Sequence, residues 1–288
     1  MSVVQAVVEL PGGLCDETGV LARDAELRRL TGEDEAWLAS LSLTVPTAAV
    51  VSALLGRCTV RLGEQLQPGA EHVRRLLVGD RDFLMLALRR LSFGSHFDAL
   101  LKCPACAETM DMSFEADDIP VQRREHVRER YELELRRRDG SPARAVFHLP
   151  TGADQEALAG GPPGDPGRAL LARCVERIDR SPTAAEQLDS LDEASLGALD
   201  ESIEQLAPNV DLAMRITCPS CGHAFDGDFD LVSFLLEEMR LSSRQLVREI
   251  HSLAFYYHWS RTEILALSHE QRRQYVGLIS DEPRAGER

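Results

Sequence analysis

One short phrase occurs twice in this chain, as "CPAC" at 103–106 and as "CPSC" at 218–221, with 111 residues between Cys106 and Cys218. The two thiolates of a Cys-x-x-Cys turn converge, which suits half of a tetrahedral zinc site. Two such pairs complete a closed shell of four sulfurs. The sequence therefore predicts two zinc knuckles that share one structural zinc, with one zinc per chain and the ligands Cys103, Cys106, Cys218 and Cys221.

Energetic considerations favour a shared site. Closing a loop of more than a hundred residues costs a few kcal/mol of chain entropy by loop-closure scaling. A structural zinc supplies an apparent binding free energy of about 10 kcal/mol or more near neutral pH. The metal would thus hold two distant parts of the chain together, and four thiolates leave no coordination position for water or substrate.

Other interpretations of these residues stay open. The pairs could form two separate incomplete sites or remain free thiols, and His223 could replace one cysteine as a ligand. A thiol redox centre would require a Cys pair at a helix N-terminus, whereas both pairs here are followed by strand-like sequence. The segment His269–Arg273 approaches a zinc-protease motif but has arginine in place of the second histidine, and it is expected to form a capped, solvent-facing turn. Cys15, Cys58 and Cys174 are isolated and expected to be small buried side chains.

Composition and charge exclude several classes. The net charge of −15 repels nucleic-acid phosphates, which disfavours non-specific binding to DNA. No apolar run reaches the roughly 18 residues of a membrane span, and the N-terminus "MSVVQAVVELPGG" lacks the regions of a signal peptide. The protein is therefore expected in a bacterial cytoplasm, either remaining there or incorporated into an assembled particle. No phosphate-binding loop, nucleophile elbow or dinucleotide fingerprint is present.

Periodicity and turn residues divide the chain. Residues 1–100 are predicted to hold an N-terminal β-hairpin, turning at Pro11-Gly12-Gly13, plus helices. Residues 101–230 are predicted to form the zinc-stapled β region, which carries an insert. Within that insert we expect a hairpin at about 131–149 that turns at Asp139-Gly140, a flexible linker at about 160–167 and acidic helices at about 168–207.

Residues 231–281 are predicted to be a helical C-terminal subdomain, followed by a frayed tail at 282–288. Ser260-x-x-Glu263 and Ser268-x-x-Gln271 have the pattern of capping boxes that open two short helices. The longer helix before them has a predicted apolar stripe, composed of Leu246, Val247, Ile250, Leu253, Ala254 and Tyr257.

The aromatic run "FYYHWS" at 255–260 is a second candidate site. Core packing explains Tyr257, but Phe255, Tyr256 and Trp259 cannot all face one core on a helix. We therefore consider both core packing and partner docking here. The candidate partner-binding residues are Phe255, Tyr256, His258 and Trp259.

The segments "DRDFLMLALRRLSFGSHFDALLKCPACAETMDMSF" and "CPSCGHAFDGDFDLVSFLLEEM", together with "IHSLAFYYHWS" and "EILALS" followed by "QRRQY", resemble the baseplate (hub) protein family of T-even-type contractile phages and related contractile injection systems. This resemblance implies a non-catalytic baseplate or hub component, or an assembly factor for the hub. It also implies other baseplate subunits as partners, with no membrane and no small-molecule substrate, and it supports the four cysteines as metal ligands.

The sequence as a whole thus predicts an α+β fold in which two zinc-knuckle β-elements share one four-cysteine site, with a β-hairpin insert and a helical C-terminal subdomain. The predicted role is that of a structural protein of a phage tail-like particle. The alternatives are a zinc-ribbon regulatory protein that binds nucleic acid, which a basic face would favour, and a thiol redox protein.

Overall fold

The computed structural model describes residues 5–15, 21–42, 44–159, 165–179, 187–210, 214–227 and 230–281. The strands in these ranges are β1 (Gln5–Cys15), β2 (Leu21–Arg28), β3 (Thr59–Leu62), β4 (Gln65–Leu66), β5 (His96–Lys102), β6 (Thr109–Glu115), β7 (Val121–Gln122), β8 (Tyr131–Arg136), β9 (Pro142–Phe147), β10 (Val175–Ile178), β11 (Asn209–Val210), β12 (Met214–Thr217) and β13 (Ala224–Gly227). The helices are α1 (Gly32–Ser40), α2 (Thr47–Cys58), α3 (Gly69–Val73), α4 (Val78–Phe93), α5 (Gly152–Leu158), α6 (Pro166–Cys174), α7 (Glu193–Leu206), α8 (Leu231–Tyr257), α9 (Arg261–Leu265) and α10 (His269–Asp281). The predicted α+β class is confirmed.

The N-terminal part is a four-stranded antiparallel sheet in the order β1-β2-β3-β4, with α4 packed against β1. The predicted turn at Pro11-Gly12-Gly13 is wrong, because β1 continues through these residues to Cys15 with a shift of register between Glu9 and Leu14. The buried carboxylate of Asp80 explains this path, since it accepts hydrogen bonds from the N–H groups of Gly12 and Gly13 at 2.7 and 3.0 Å.

One hydrophobic core joins this sheet to α2, α4, β5 and the start of α8. A capping box opens α1, with Asp34 as its acidic member. Gly94 ends α4 at φ +95°. The most buried members of the core include Leu10, Leu27, Leu54, Leu55, Leu84, Leu88, Phe97, Leu235 and Met239.

The insert has a core of its own under the three-stranded sheet β10-β9-β8. Its hairpin of β8 and β9 turns at Gly140, which has φ +83°. The sequence predicts helices at about 168–207, but β10 interrupts them, because Val175 and Ile178 pair with β9 and bury their side chains. Of the predicted linker, residues 160–164 lie outside the described residues, and Pro166 begins α6.

The base of the insert is joined to the N-terminal part at two places. β7 and β11 pair with each other, which brings the two ends of the insert side by side. α5 lies against α2 and α4, where the buried guanidinium of Arg81 donates to Gln155 and to Ser52 at 2.7 and 2.8 Å. The insert is therefore anchored independently of the cysteines.

Residues 231–281 are helical and pack on α1. The two predicted capping boxes are confirmed at Ser260 and Ser268. Two details of the prediction are wrong: the side chain of Val247 is 72% exposed rather than part of the apolar stripe, and Arg272 is fully buried rather than solvent-facing. Residues 282–288, predicted as a tail, lie outside the described residues. None of the described helices is both long and apolar enough to cross a membrane.

Candidate metal centre

The first knuckle connects β5 to β6, which pair in register from His96–Glu115 to Lys102–Thr109. At its tip the N–H of Cys103 donates to the carbonyl of Glu108, and the N–H of Ala107 donates back to the carbonyl of Cys103, both at 2.9 Å. Ala107 has φ +59°, in the left-handed region. These contacts fold the six-residue turn tightly enough to direct both thiols to one side.

The second knuckle, between β12 and β13, repeats this arrangement bond for bond. The N–H of Cys218 donates to the carbonyl of His223, and the N–H of Gly222 donates to the carbonyl of Cys218, again at 2.9 Å. Gly222 has φ +69°. The repeated phrase in the sequence therefore corresponds to two copies of one local structure.

The four sulfur atoms meet between the knuckles. The Sγ atoms of Cys103 and Cys221 lie 3.7 Å apart, as do those of Cys106 and Cys218, and all four lie within 4.8 Å of one another. A disulfide would require about 2.05 Å. In a tetrahedron with Zn–S bonds near 2.3 Å, neighbouring sulfurs are about 3.8 Å apart. The four cysteines that the sequence predicts are thus brought together at the spacing of a closed four-sulfur site.

A small apolar cluster supports the sulfurs from below. It contains the buried Cys103, Cys218 and Met110, against which Leu101, Ile216 and Phe225 pack. Cys106 and Cys221, the second cysteine of each pair, are exposed. The site therefore lies at the surface, where an ion can enter. Its base is held by side chains from both hairpins, β5–β6 and β12–β13.

Backbone hydrogen bonds set the proton affinities of the thiols. The N–H of Cys221 is the main cause that lowers the pKa of Cys218 to about 7, and the N–H of Ser220 adds to it. The N–H of Glu108 lowers the pKa of Cys106, but the neighbouring thiol of Cys221 and desolvation raise it, to about 12 in total. Cys218 therefore ionises more readily than Cys106, and binding of a cation would displace the protons that remain on the ligands.

His223 is not part of the sulfur cluster. Its ring stacks on Phe225 with centroids 6.1 Å apart, and its carbonyl accepts the N–H of Cys218. The chemistry of the donor set is therefore that of four thiolates, which fits a tetrahedral d¹⁰ cation such as Zn²⁺ and completes its coordination shell.

The aromatic run divides into two groups. Phe255 and Tyr256 are 67% and 55% exposed near the end of α8. Tyr257 and Trp259 stack on each other with centroids 5.0 Å apart, and both contact Tyr275 of α10.

His258 is exposed and ends α8 in the left-handed conformation at φ +57°. Of the candidate partner-binding residues, Trp259 thus serves internal packing, whereas Phe255, Tyr256 and His258 face solvent.

Two clusters of charged groups were missed from the sequence. Arg272 connects Glu35 of α1 to Glu249 of α8 in a fully enclosed network. In the insert, His148 lies 3.2 Å from Asp154, and Cys174 lies close to both. The one sequence pattern that points to part of the second cluster is the capping box Thr151-x-x-Asp154, which predicts a hydrogen-bonded carboxylate at Asp154.

The cluster around Asp154 has its partners within the protein. One carboxylate oxygen of Asp154 accepts from Thr151 and faces His148, and the other lies 3.3 Å from Nε of Arg173. Although burial raises the pKa of Asp154, hydrogen bonds from His148 and Thr151 lower it well below its usual range. A cation would have to compete with Arg173 for this carboxylate, so the cluster is structural.

Comparison with known proteins identifies the family of this chain. The model of the family described as T4 bacteriophage base plate protein matches residues 26–236, or 211 of the 288 residues. This range includes both knuckles and the whole insert, and it ends within α8. No curated protein and no solved structure matches the chain.

Proposed function

The chain belongs to the T4 bacteriophage base plate protein family, and from this premise we propose that it is a non-catalytic structural component, or an assembly factor, of the baseplate or hub of a phage-like contractile injection system. We further propose that Cys103, Cys106, Cys218 and Cys221 hold one structural zinc. The family match over residues 26–236 supports the role, and the convergence of four sulfurs, with Sγ atoms of opposite knuckles 3.7 Å apart, supports the metal site.

The bound zinc would act as a cross-link between the β5–β6 hairpin and the β12–β13 hairpin. β5 and β6 continue from the main core through Phe97 and Phe114, which stack with centroids 4.9 Å apart. β12 and β13 immediately precede α8. Since the four thiolates fill the coordination shell, the metal would have no position for a substrate, and its contribution would be rigidity.

A rigid connection between the two knuckles suits a subunit that several neighbouring subunits must recognise. The zinc would fix the start of α8 relative to α4 and the N-terminal sheet, with Arg272 fixing the other end of α8 to α1. A baseplate subunit has to present such surfaces in a constant geometry. We propose Phe255, Tyr256 and His258 as contacts to a neighbouring subunit, with Trp259 supporting them from within.

The metal is tested by elemental analysis of the freshly purified chain. We expect close to one zinc per chain, and a variant with Cys106→Ser and Cys221→Ser should contain none. If the wild-type protein is correctly folded but contains no metal and has four reactive thiols at this site, the proposal of a structural zinc is contradicted.

The role in assembly is tested by deletion of the gene. The deletion strain should produce no complete contractile particles by electron microscopy, and a plasmid copy should restore them. Mass spectrometry of purified particles then distinguishes a resident component from a factor that leaves. Normal particle numbers in the deletion strain would contradict the proposed function.

A further inference from the structure

The outward side of α8 carries a line of exposed residues, here called the α8 outer face: Leu241, Arg244, Arg248, His251 and Phe255. Their spacing of three or four residues places them one above the other on a helix. The opposite side of α8 is buried through residues such as Leu246 and Leu253. The α8 outer face is therefore a continuous solvent-exposed strip about four turns long.

This strip is cationic although the chain carries a net charge of −15. Between Arg240 and His258 the sequence contains one carboxylate, Glu249, which is buried and paired with Arg272. Arg244 and Arg248 have no carboxylate within ion-pairing distance in the part of the chain that the structure describes. Their charges are consequently available to a group from outside.

Apolar side chains flank these charges. Val247 is 72% exposed and Leu241 is 48% exposed. The ring of Phe255 contacts His251 in a stacked arrangement and Tyr256 edge-to-face, with centroids 6.3 and 5.2 Å apart. Aromatic side chains and arginines are the residue types that protein interfaces favour, and the neighbouring aliphatic side chains add apolar surface that a partner can cover.

We propose that the α8 outer face docks an acidic segment of another baseplate subunit. Carboxylates of that segment would pair with Arg244 and Arg248, and its apolar side chains would cover Leu241, Val247 and Phe255. This inference rests on the proposed function and names the chemistry of the partner. A protein fits better than a nucleic acid, because aliphatic groups gain nothing from a phosphate backbone and the net charge repels it.

The experiment uses the deletion strain described above, complemented with variants of the full chain. Arg244→Glu combined with Arg248→Glu should reduce the number of complete particles at least tenfold, because two attractive pairs become repulsive. Arg273→Glu is the matched control, since Arg273 is also exposed but lies on α10. It should leave the particle number within twofold of wild type.

A second variant and a binding assay distinguish loss of docking from a defect in folding. Phe255→Ala removes an exposed ring without changing charge, and it should also lower particle numbers while the purified protein keeps its zinc and melting temperature. Wild-type particle numbers from the double arginine variant or from Phe255→Ala would overturn the docking proposal. Binding of a 20-base-pair DNA duplex by the wild type, lost on reversal of both arginines, would likewise overturn it.

These outcomes differ from failure of the proposed function. If deletion of the whole gene leaves particles intact, the baseplate role itself is wrong. If deletion removes the particles but the α8 variants restore them, the baseplate role stands and the partner surface lies elsewhere on the chain.

Discussion

Ala107 and Gly222 occupy the same position in the two knuckles and share a left-handed backbone, with φ +59° and +69°. In each knuckle this residue donates its N–H to the carbonyl of the first cysteine at 2.9 Å. The second knuckle has the residue that this conformation favours, whereas the first has a side chain that it disfavours. The tight turn is evidently required in both places, whichever residue the sequence supplies.

We therefore expect opposite effects from exchanging the two residues. Left-handed backbone costs an L-residue about 1–2 kcal/mol, and glycine in the unfolded chain returns part of this through its entropy. Ala107→Gly should raise the free energy of unfolding by about 0.5 kcal/mol, and Gly222→Ala should lower it by about 1 kcal/mol. A Cβ at Gly222 would meet no atom within 4 Å, so the effect would be conformational alone.

Urea unfolding of the zinc-loaded proteins measures both changes. Destabilisation by both substitutions would show that the side chain of Ala107 contributes packing that outweighs its backbone strain.

The cysteine cluster could be predicted because each knuckle is specified locally, by a few adjacent residues. A capping box such as Thr31-x-x-Asp34 is predictable for the same reason. The buried network around Arg272 could not be predicted, since Glu35 lies 237 positions away in the chain. Nothing near Arg272 in the sequence distinguishes it from an exposed arginine such as Arg273.

Tertiary pairing also explains the errors in local structure. The sequence pattern predicts a helix at 175–178, but β9 offers an unpaired edge that these residues occupy as a strand. The path of β1 through Gly12 and Gly13 depends on Asp80, which lies 68 and 67 positions further along the chain. In both cases a distant partner decides between two structures that the local sequence permits.

Removing one of the proposed zinc ligands should destabilise the whole fold. The four-thiolate site forms only when the knuckles on either side of the 111 residues between Cys106 and Cys218 come together, so the free energy of metal binding adds to the stability of the folded chain. We expect Cys218→Ser to lower the free energy of unfolding by about 4 kcal/mol, the gain that a ligand at about 1,000 times its Kd gives a folded state. Thermal and urea denaturation measure the change.

A chelator provides the matched control for this variant. It should destabilise the wild type by a similar amount and leave Cys218→Ser unaffected, because the variant has no closed site to lose. An unchanged melting temperature in Cys218→Ser would mean that the site is not a cross-link.

The network around Arg272 predicts a pronounced asymmetry between single and combined substitutions. Its guanidinium donates to both carboxylate oxygens of Glu35 and to Glu249, all at 2.7 Å, and the arginine and Glu35 are completely buried. Arg272→Met leaves two buried carboxylates without their cationic partner, although Glu35 keeps a hydrogen bond from Ser242, and should cost about 3–5 kcal/mol.

Replacing all three residues by apolar ones should restore much of this loss, since no unpaired charge remains. The comparison variant combines Arg272→Met with Glu35→Leu and Glu249→Leu. Urea unfolding gives the free energy of unfolding of the wild type, of Arg272→Met and of this triple variant. A triple variant no more stable than Arg272→Met would show that these side chains contribute through shape rather than charge.

Asp34 predicts a pH dependence of stability in the acid range. Its carboxylate is inaccessible to solvent and lies 2.6 Å from Arg28 and 3.0 Å from Arg57. Burial alone would raise the pKa of Asp34, but the hydrogen bond and charge of Arg28, with help from Thr31 and Arg57, lower it below its usual value. A lowered pKa means that the folded state binds fewer protons than the unfolded state.

The contribution of Asp34 is therefore complete above the unfolded pKa of about 3.9 and is lost as pH falls below it. Asp34→Asn should cost about 2 kcal/mol at pH 6, the scale of a hydrogen-bonded charge pair, and the difference from wild type should shrink as the pH is lowered towards 3. Comparing the two proteins at each pH cancels any effect of acid that both share, including loss of a metal from the cysteine site. Asp117→Asn is the control, because Asp117 pairs with Arg90 on the surface and should change stability by less than about 0.5 kcal/mol at any pH. If the stability difference between wild type and Asp34→Asn instead grows towards low pH, the pKa of Asp34 is raised rather than lowered in the folded protein, and the prediction is wrong.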